Sequence, residues 1–156
     1  MRHKTLPRPA LALGVAGLAL ALAACSPITT DVPYAASDGI RAQVGDLDVL
    51  NLMILSPSKD AAGRLLGAAS SASAEPETLT IAAQDGSVTI PVQLEAGETV
   101  NFSVDDGLML LIDQVTVAPG ANLPVTLTTS AGESIDVFVP VLDSTLDEYA
   151  DFVPSE

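Results

Sequence analysis

One thiol, one imidazole and three thioethers make up the soft and nucleophilic chemistry of this 156-residue chain. The thiol is Cys25, directly behind Leu22-Ala23-Ala24, and the imidazole is His3. Beyond Cys25 there is neither a histidine nor a second cysteine. Cys–His and Ser–His–carboxylate arrangements therefore cannot be assembled there, which removes the usual nucleophilic and acid–base machinery. Ser56-Pro57-Ser58-Lys59 has Ser-x-x-Lys spacing. That motif works when a helix presents both groups beside further Ser/Asn and Lys partners, and Pro57 at a strand end offers no such helix. Asp105-Asp106 lacks the alternating Asp loop of a calcium site and reads as a solvated turn. A glycosidase needs two carboxylates in a sugar cleft, and with aromatics at 3% stacking platforms are scarce. Asn101-Phe102-Ser103 is a sequon by pattern only, and no glycine-rich loop is set to cradle phosphate. No catalytic residue is assigned, no cofactor is expected, and the chain reads as non-enzymatic.

Cys25 belongs to a different chemistry. Arg2, Lys4 and Arg8 form a basic end, Ala10 to Leu22 is an apolar run, and small residues close it. That three-part pattern is a secretory signal. The basic end stays cytoplasmic while the apolar run inserts. The run is shorter than the roughly 20 residues needed to span a bilayer, which favours a cleaved leader over a membrane helix. Leu22-Ala23-Ala24-Cys25 resembles the lipobox of bacterial lipoproteins. The resemblance implies diacylglycerol on the Cys25 sulfur, with Leu22, Ala23 and Ala24 as the signal-peptidase recognition residues. It also implies cleavage between Ala24 and Cys25, and a lipid anchor on the outer, extracytoplasmic face of the cell membrane. Lipidation would account for a single exported cysteine, otherwise a stray reactive thiol.

Charge narrows the partners. The chain carries −14, and removing the three leader cations takes it to −17, leaving Arg41, Lys59 and Arg64 as its only cations. Such a surface repels phosphate backbones, so no nucleic acid is expected as a partner. It also repels anionic headgroups, so membrane attachment falls to the lipid on Cys25.

The remaining residues must position a binding surface, and their pattern is β. Ser26 to Asp38 is rich in Pro, Ser, Thr and Ala and reads as a tether. Asp48 to Ser56 is almost continuously apolar, as in a strand buried on both faces. Leu79 and Ile81 alternate, Asp85-Gly86 turns, and Val88, Ile90, Val92 and Leu94 follow at period two. Ala96-Gly97-Glu98 turns again, and Val100, Phe102 and Val104 form the next apolar face. Leu111, Val115 and Val117 suggest a strand ending at Ala118-Pro119-Gly120. Leu123, Val125 and Leu127 form one more, and Ile135, Val137, Val139 and Val141 finish the set after Ala131-Gly132. The expected fold is all-β: an antiparallel sandwich of seven or eight short strands, cupredoxin-like or immunoglobulin-like. Ala61 to Ala69 is read as a turn or two of helix. The expected organisation is a leader over 1–24, a lipidated tether over 25–38, a β-sandwich over 39–143 and an acidic tail over 144–156. The tail reads as mostly solvated. Leu142, Leu146, Tyr149 and Val153 nonetheless have helical spacing, enough for one apolar stripe to order against a partner or the sandwich itself.

Three stretches resemble the periplasmic copper-chaperone family called PCuAC. Arg64-Leu65-Leu66-Gly67-Ala68 is similar to its "RLVGA", Gly107 to Gln114 to its "HIMLMGLK", and Pro124 to Thr128 with Val137 to Val141 to its "PLTLTF" and "VEVPV". The resemblance implies the same sandwich. It also implies a Cu(I) site of two His and two Met, which this chain does not keep. One His falls on Gly107, the other near Thr80 or Ala82, and one Met near Val88 or Ile90. Met109 alone is retained as a candidate metal ligand, and Met53 does not fit the pattern. The chain is similar in this to ligand-poor actinobacterial lipoproteins called LpqE-like. The function expected is a membrane-anchored scaffold or binding module with an envelope protein as partner. The alternative is a metal-handling lipoprotein with a reduced copper site or a copper-binding partner.

Overall fold

The computed structural model describes residues 37–103 and 108–155. The leader, Cys25 and its flanking residues, most of the tether, Asp105-Asp106 and Gly107 lie outside the described residues. Nine strands are present among the described residues: β1 Ile40–Val44, β2 Leu47–Leu55, β3 Gly63–Ser71, β4 Glu77–Ala83, β5 Thr89–Leu94, β6 Thr99–Asn101, β7 Leu110–Ile112, β8 Asn122–Thr129 and β9 Ser134–Leu142. They run in the order β5-β4-β8-β9-β2-β3-β6, with β1 added to β2 and β7 to β3, and nearly close into a barrel. The all-β sandwich expected from the sequence is the fold observed.

Two features exceed the antiparallel expectation. The strand count is nine, because β1 is a short strand with little apolar alternation. It is joined to β2 by the two-residue turn Gly45-Asp46, with Val44 opposite Leu47. The other feature is β9, which changes partners along its length. Ser134 to Pro140 run antiparallel to β8, whereas Val141 and Leu142 pair in parallel with Ile54 and Leu55. Pro140 stands at the switch, where its missing N–H takes least from the ladder.

Alternation along β4, β5 and β8 sends Leu79, Ile81, Val92, Leu94, Leu123, Val125 and Leu127 into one aliphatic core. β2 feeds that core from two phases. Leu47 and Val49 face inward, then Leu52 and Ile54 do. The shift is a bulge: Leu50 pairs with Ala68 and Met53 with Leu66, so Asn51 and Leu52 oppose Gly67. Asn51 takes φ +51, which asparagine tolerates, and its Oδ1 accepts the Gly39 N–H at 2.9 Å. Gly67 has φ +138, and a Cβ there would meet the Leu50 carbonyl oxygen at 2.9 Å and the Phe102 ring at 3.0 Å.

The helical turn expected over Ala61 to Ala69 is instead β3. Leu65 and Leu66 are both buried, on opposite faces, and burial against β2 overrides the helix preference of alanine. β7 is also one residue out of the expected phase: Leu110 and Ile112 are buried and Leu111 is exposed. Leu108 to Ile112 is uniformly apolar, so no alternation marks its inward side.

The C-terminal segment is docked. Beyond β9, a 3-10 turn at Asp147–Tyr149 starts a strap that lays Tyr149, Phe152 and Val153, with Leu142, against Met53, Leu55 and Leu66. This covers the outer face of β2 and β3. The helical stripe is not formed as read. Leu146 is exposed, and Phe152 joins Tyr149 and Val153 against the sheet in its place.

Candidate functional site

The β4–β5 turn and β7 meet at one edge of the sandwich. A cleft of about 120 Å³ lies there, lined by Ser87, Val88, Thr89, Ile90, Leu111, Ile112 and Asp113. The edge is tied together by Asp85. Its carboxylate accepts from the Ser87 hydroxyl at 2.6 Å, the Ser87 N–H at 2.9 Å and the Thr116 hydroxyl beyond β7. The Ser87 hydroxyl first, then that of Thr116, hold the Asp85 carboxyl below the usual carboxylate range.

The sequence-derived ligand positions scatter around this edge. Val88 and Ile90 line the cleft. Thr80 and Ala82 alternate with the inward-facing Leu79 and Ile81 and so project from the other face of β4. Met109 is 52% exposed just before β7, and Met53 is buried under the strap. Among the described residues no three His, Cys, Asp or Glu side chains gather to hold a metal ion. The cleft itself offers hydroxyls, aliphatic groups and one carboxylate.

Other sequence candidates have structural roles. The Ser56 hydroxyl is fully buried and directed at the carbonyls of Ser58 and Ala62, 2.9 Å from each, while Lys59 is exposed. Ser103 of the sequon exchanges two hydrogen bonds with the Gly67 backbone, at 2.6 and 3.0 Å, and locks the bulge. Cys25, Leu22, Ala23 and Ala24 lie outside the described residues.

One residue went unremarked as a functional group. Arg64 is 5% exposed, on the outer face of β3, with the Phe152 ring 4.9 Å from its Cζ. Its sequence signals were its rarity, as one of three cations beyond the leader, and its place at the head of the stretch similar to "RLVGA".

No family model matches the chain, and no curated protein matches it. Solved structures do. The apo PmoF2 PCuAC domain is similar over 69% of this chain and 98% of its own length, with a TM-score of 0.53 and 10% identity. The copper-bound PCuAC domain from PmoF2 covers 67% and 98%, with a TM-score of 0.51 and 10% identity. The fold is PCuAC-like. At such identity it is the PCuAC-like fold that is shared, which agrees with the three stretches noted in the sequence. The described residues of those stretches fall on β3, on β7 and the residues flanking it, and on β8 with β9.

Proposed function

We propose that the chain is a lipid-anchored, non-enzymatic binding module of the cell envelope, built on a PCuAC-like sandwich. The carrying observation is the make-up of the β7 edge. Cu(I) is a soft ion that selects thiolate, thioether and imidazole ligands, whereas this cleft presents Ser87, Thr89, Asp113 and aliphatic side chains. Leu108, Met109 and Leu111 face solvent beside it. Apolar side chains exposed together suit contact with another protein. Lipid on Cys25 would hold the module at the membrane at about 0.8 kcal/mol per buried CH₂. Cys25→Ala is expected to lose cleavage and membrane partition, and a variant that fractionates like wild type would refute the anchor.

A photo-crosslinking residue at Leu111, in intact cells, tests the binding role. A discrete envelope-protein adduct is expected there and not from Glu95 in the β5–β6 turn. Absence of any adduct from Leu111 would count against the reading. A second reading is copper handling. The copper-bound PmoF2 domain shares the fold, and Met109 is an exposed thioether to which a copper-binding partner would add the remaining ligands.

A further inference from the structure

Arg64 sits in register between Leu55 of β2 and Leu111 of β7, on the face that the strap covers. Its Nε and Nη2 are buried without a hydrogen-bond partner. No described carboxylate reaches it, since the one ion pair among the described residues is Arg41 with Asp48. Burying a guanidinium without an anion is costly, and an aromatic ring over it recovers only part of that cost. The strap carries three described carboxylates past this point, on Asp147, Glu148 and Asp151, and all three residues are exposed. The strap therefore covers the apolar part of this face through Tyr149, Phe152 and Val153, and none of its described carboxylates answers the guanidinium.

We infer that this strap-covered face of β2 and β3 is, with the strap displaced, a binding site for a partner-protein segment carrying an aromatic side chain and a carboxylate, with Arg64 receiving the carboxylate. This rests on the binding-module reading and names the chemistry of the partner. The strap is a built-in competitor: it shows which side chains this face accepts, and its described residues do not supply the anion that the guanidinium calls for. A carboxylate on that planar fork makes two charge-assisted hydrogen bonds that the strap does not make. The strap's one side-chain hydrogen bond to the rest of the domain, among the described residues, joins the Tyr149 hydroxyl to Asp38 at 2.6 Å. Leu111, 61% exposed, is the cross-strand partner of Arg64 and extends this face toward the β7 edge.

The probe is 3-phenylpropionate, a ring and a carboxylate on one short chain, with 3-phenylpropionamide as its uncharged twin. Titration of the whole chain follows the Arg64 Nε–H resonance. Phe152→Ala uncovers the guanidinium. The acid is expected to move that resonance and to bind Phe152→Ala about tenfold more tightly than wild type. The amide should do neither. Arg64→Lys, in the Phe152→Ala background, keeps the charge without the fork and should lose most of the gain. Acid affinity unchanged or lower in Phe152→Ala, an amide that binds as well as the acid, a stationary Arg64 resonance, or full binding by the lysine variant overturns the proposal. Such a failure together with an adduct at Leu111 would sink this site and leave the binding-module reading standing.

Discussion

The two faces of β2 are packed by different means. Inward, Leu52 and Ile54 join a core supplied by strands from both sides of the sandwich, all aliphatic apart from Phe102. Outward, Met53 and Leu55 meet Leu66 and are closed over by half-buried side chains of a strap. The inner face is made by strand alternation and cannot be opened without breaking the ladders. The outer face is covered by a segment with few hydrogen bonds among the described residues, over a guanidinium that no described carboxylate pairs. Local stability follows such differences in packing, so the inner face is expected to hold the fold more firmly than the outer one.

The comparison breaks most visibly at the inner face. Leu127 is fully buried in the main core, and Leu127→Ala should cost about 3 kcal/mol in chemical denaturation. Deleting Thr145 to Glu156 removes only the partly buried Tyr149, Phe152 and Val153 from the outer cluster. It should cost about 1–2 kcal/mol and leave unfolding cooperative. A deletion that unfolds the domain would show the faces to be inseparable. Arg64→Met keeps the packing and removes the buried charge, so its stability should lie within about 1 kcal/mol of wild type, on either side. A loss of several kcal/mol would mean the guanidinium is satisfied in the folded chain.

The smallest effect sharpens the strap's attachment. The Tyr149 phenol is pushed up to about 12, by burial first and then by its hydrogen bond to Asp38 and the charges of Asp38 and Glu148. Folding thus favours the neutral phenol. Its contribution is complete below the ordinary value near 10 and is lost as pH rises from there through about 12. Denaturation midpoints should fall more steeply across that window for wild type than for Tyr149→Phe; identical profiles would place the strap elsewhere.

How much of this was legible differs between the faces for the same reason. Strict period two in Leu123, Val125 and Leu127 names the strand and its inward side at once. So does Leu79 with Ile81. Where apolar residues run on without a break, as in Leu108 to Ile112, the strand is visible but its phase is not. Ala61 to Ala69 misled because its burial, not its composition, selects the strand. The bulge at Asn51 was hidden because it is defined by pairing with Gly67, not by a local motif. The PCuAC-like fold was readable from the three short stretches, and the lack of histidine beyond Cys25 is readable from residue type alone. Arg64 could not be singled out, since the burial of its side chain depends on a strap almost ninety residues away.

We propose that a PCuAC-like sandwich serves here as a protein-binding module and not as a copper site. Competition for Cu(I) between the intact chain and a chromogenic chelator tests it most directly. On this reading the chelator keeps the ion, and Met109→Ala changes nothing. Stoichiometric transfer of Cu(I) to the chain at nanomolar or tighter affinity, lost in Met109→Ala, would contradict it.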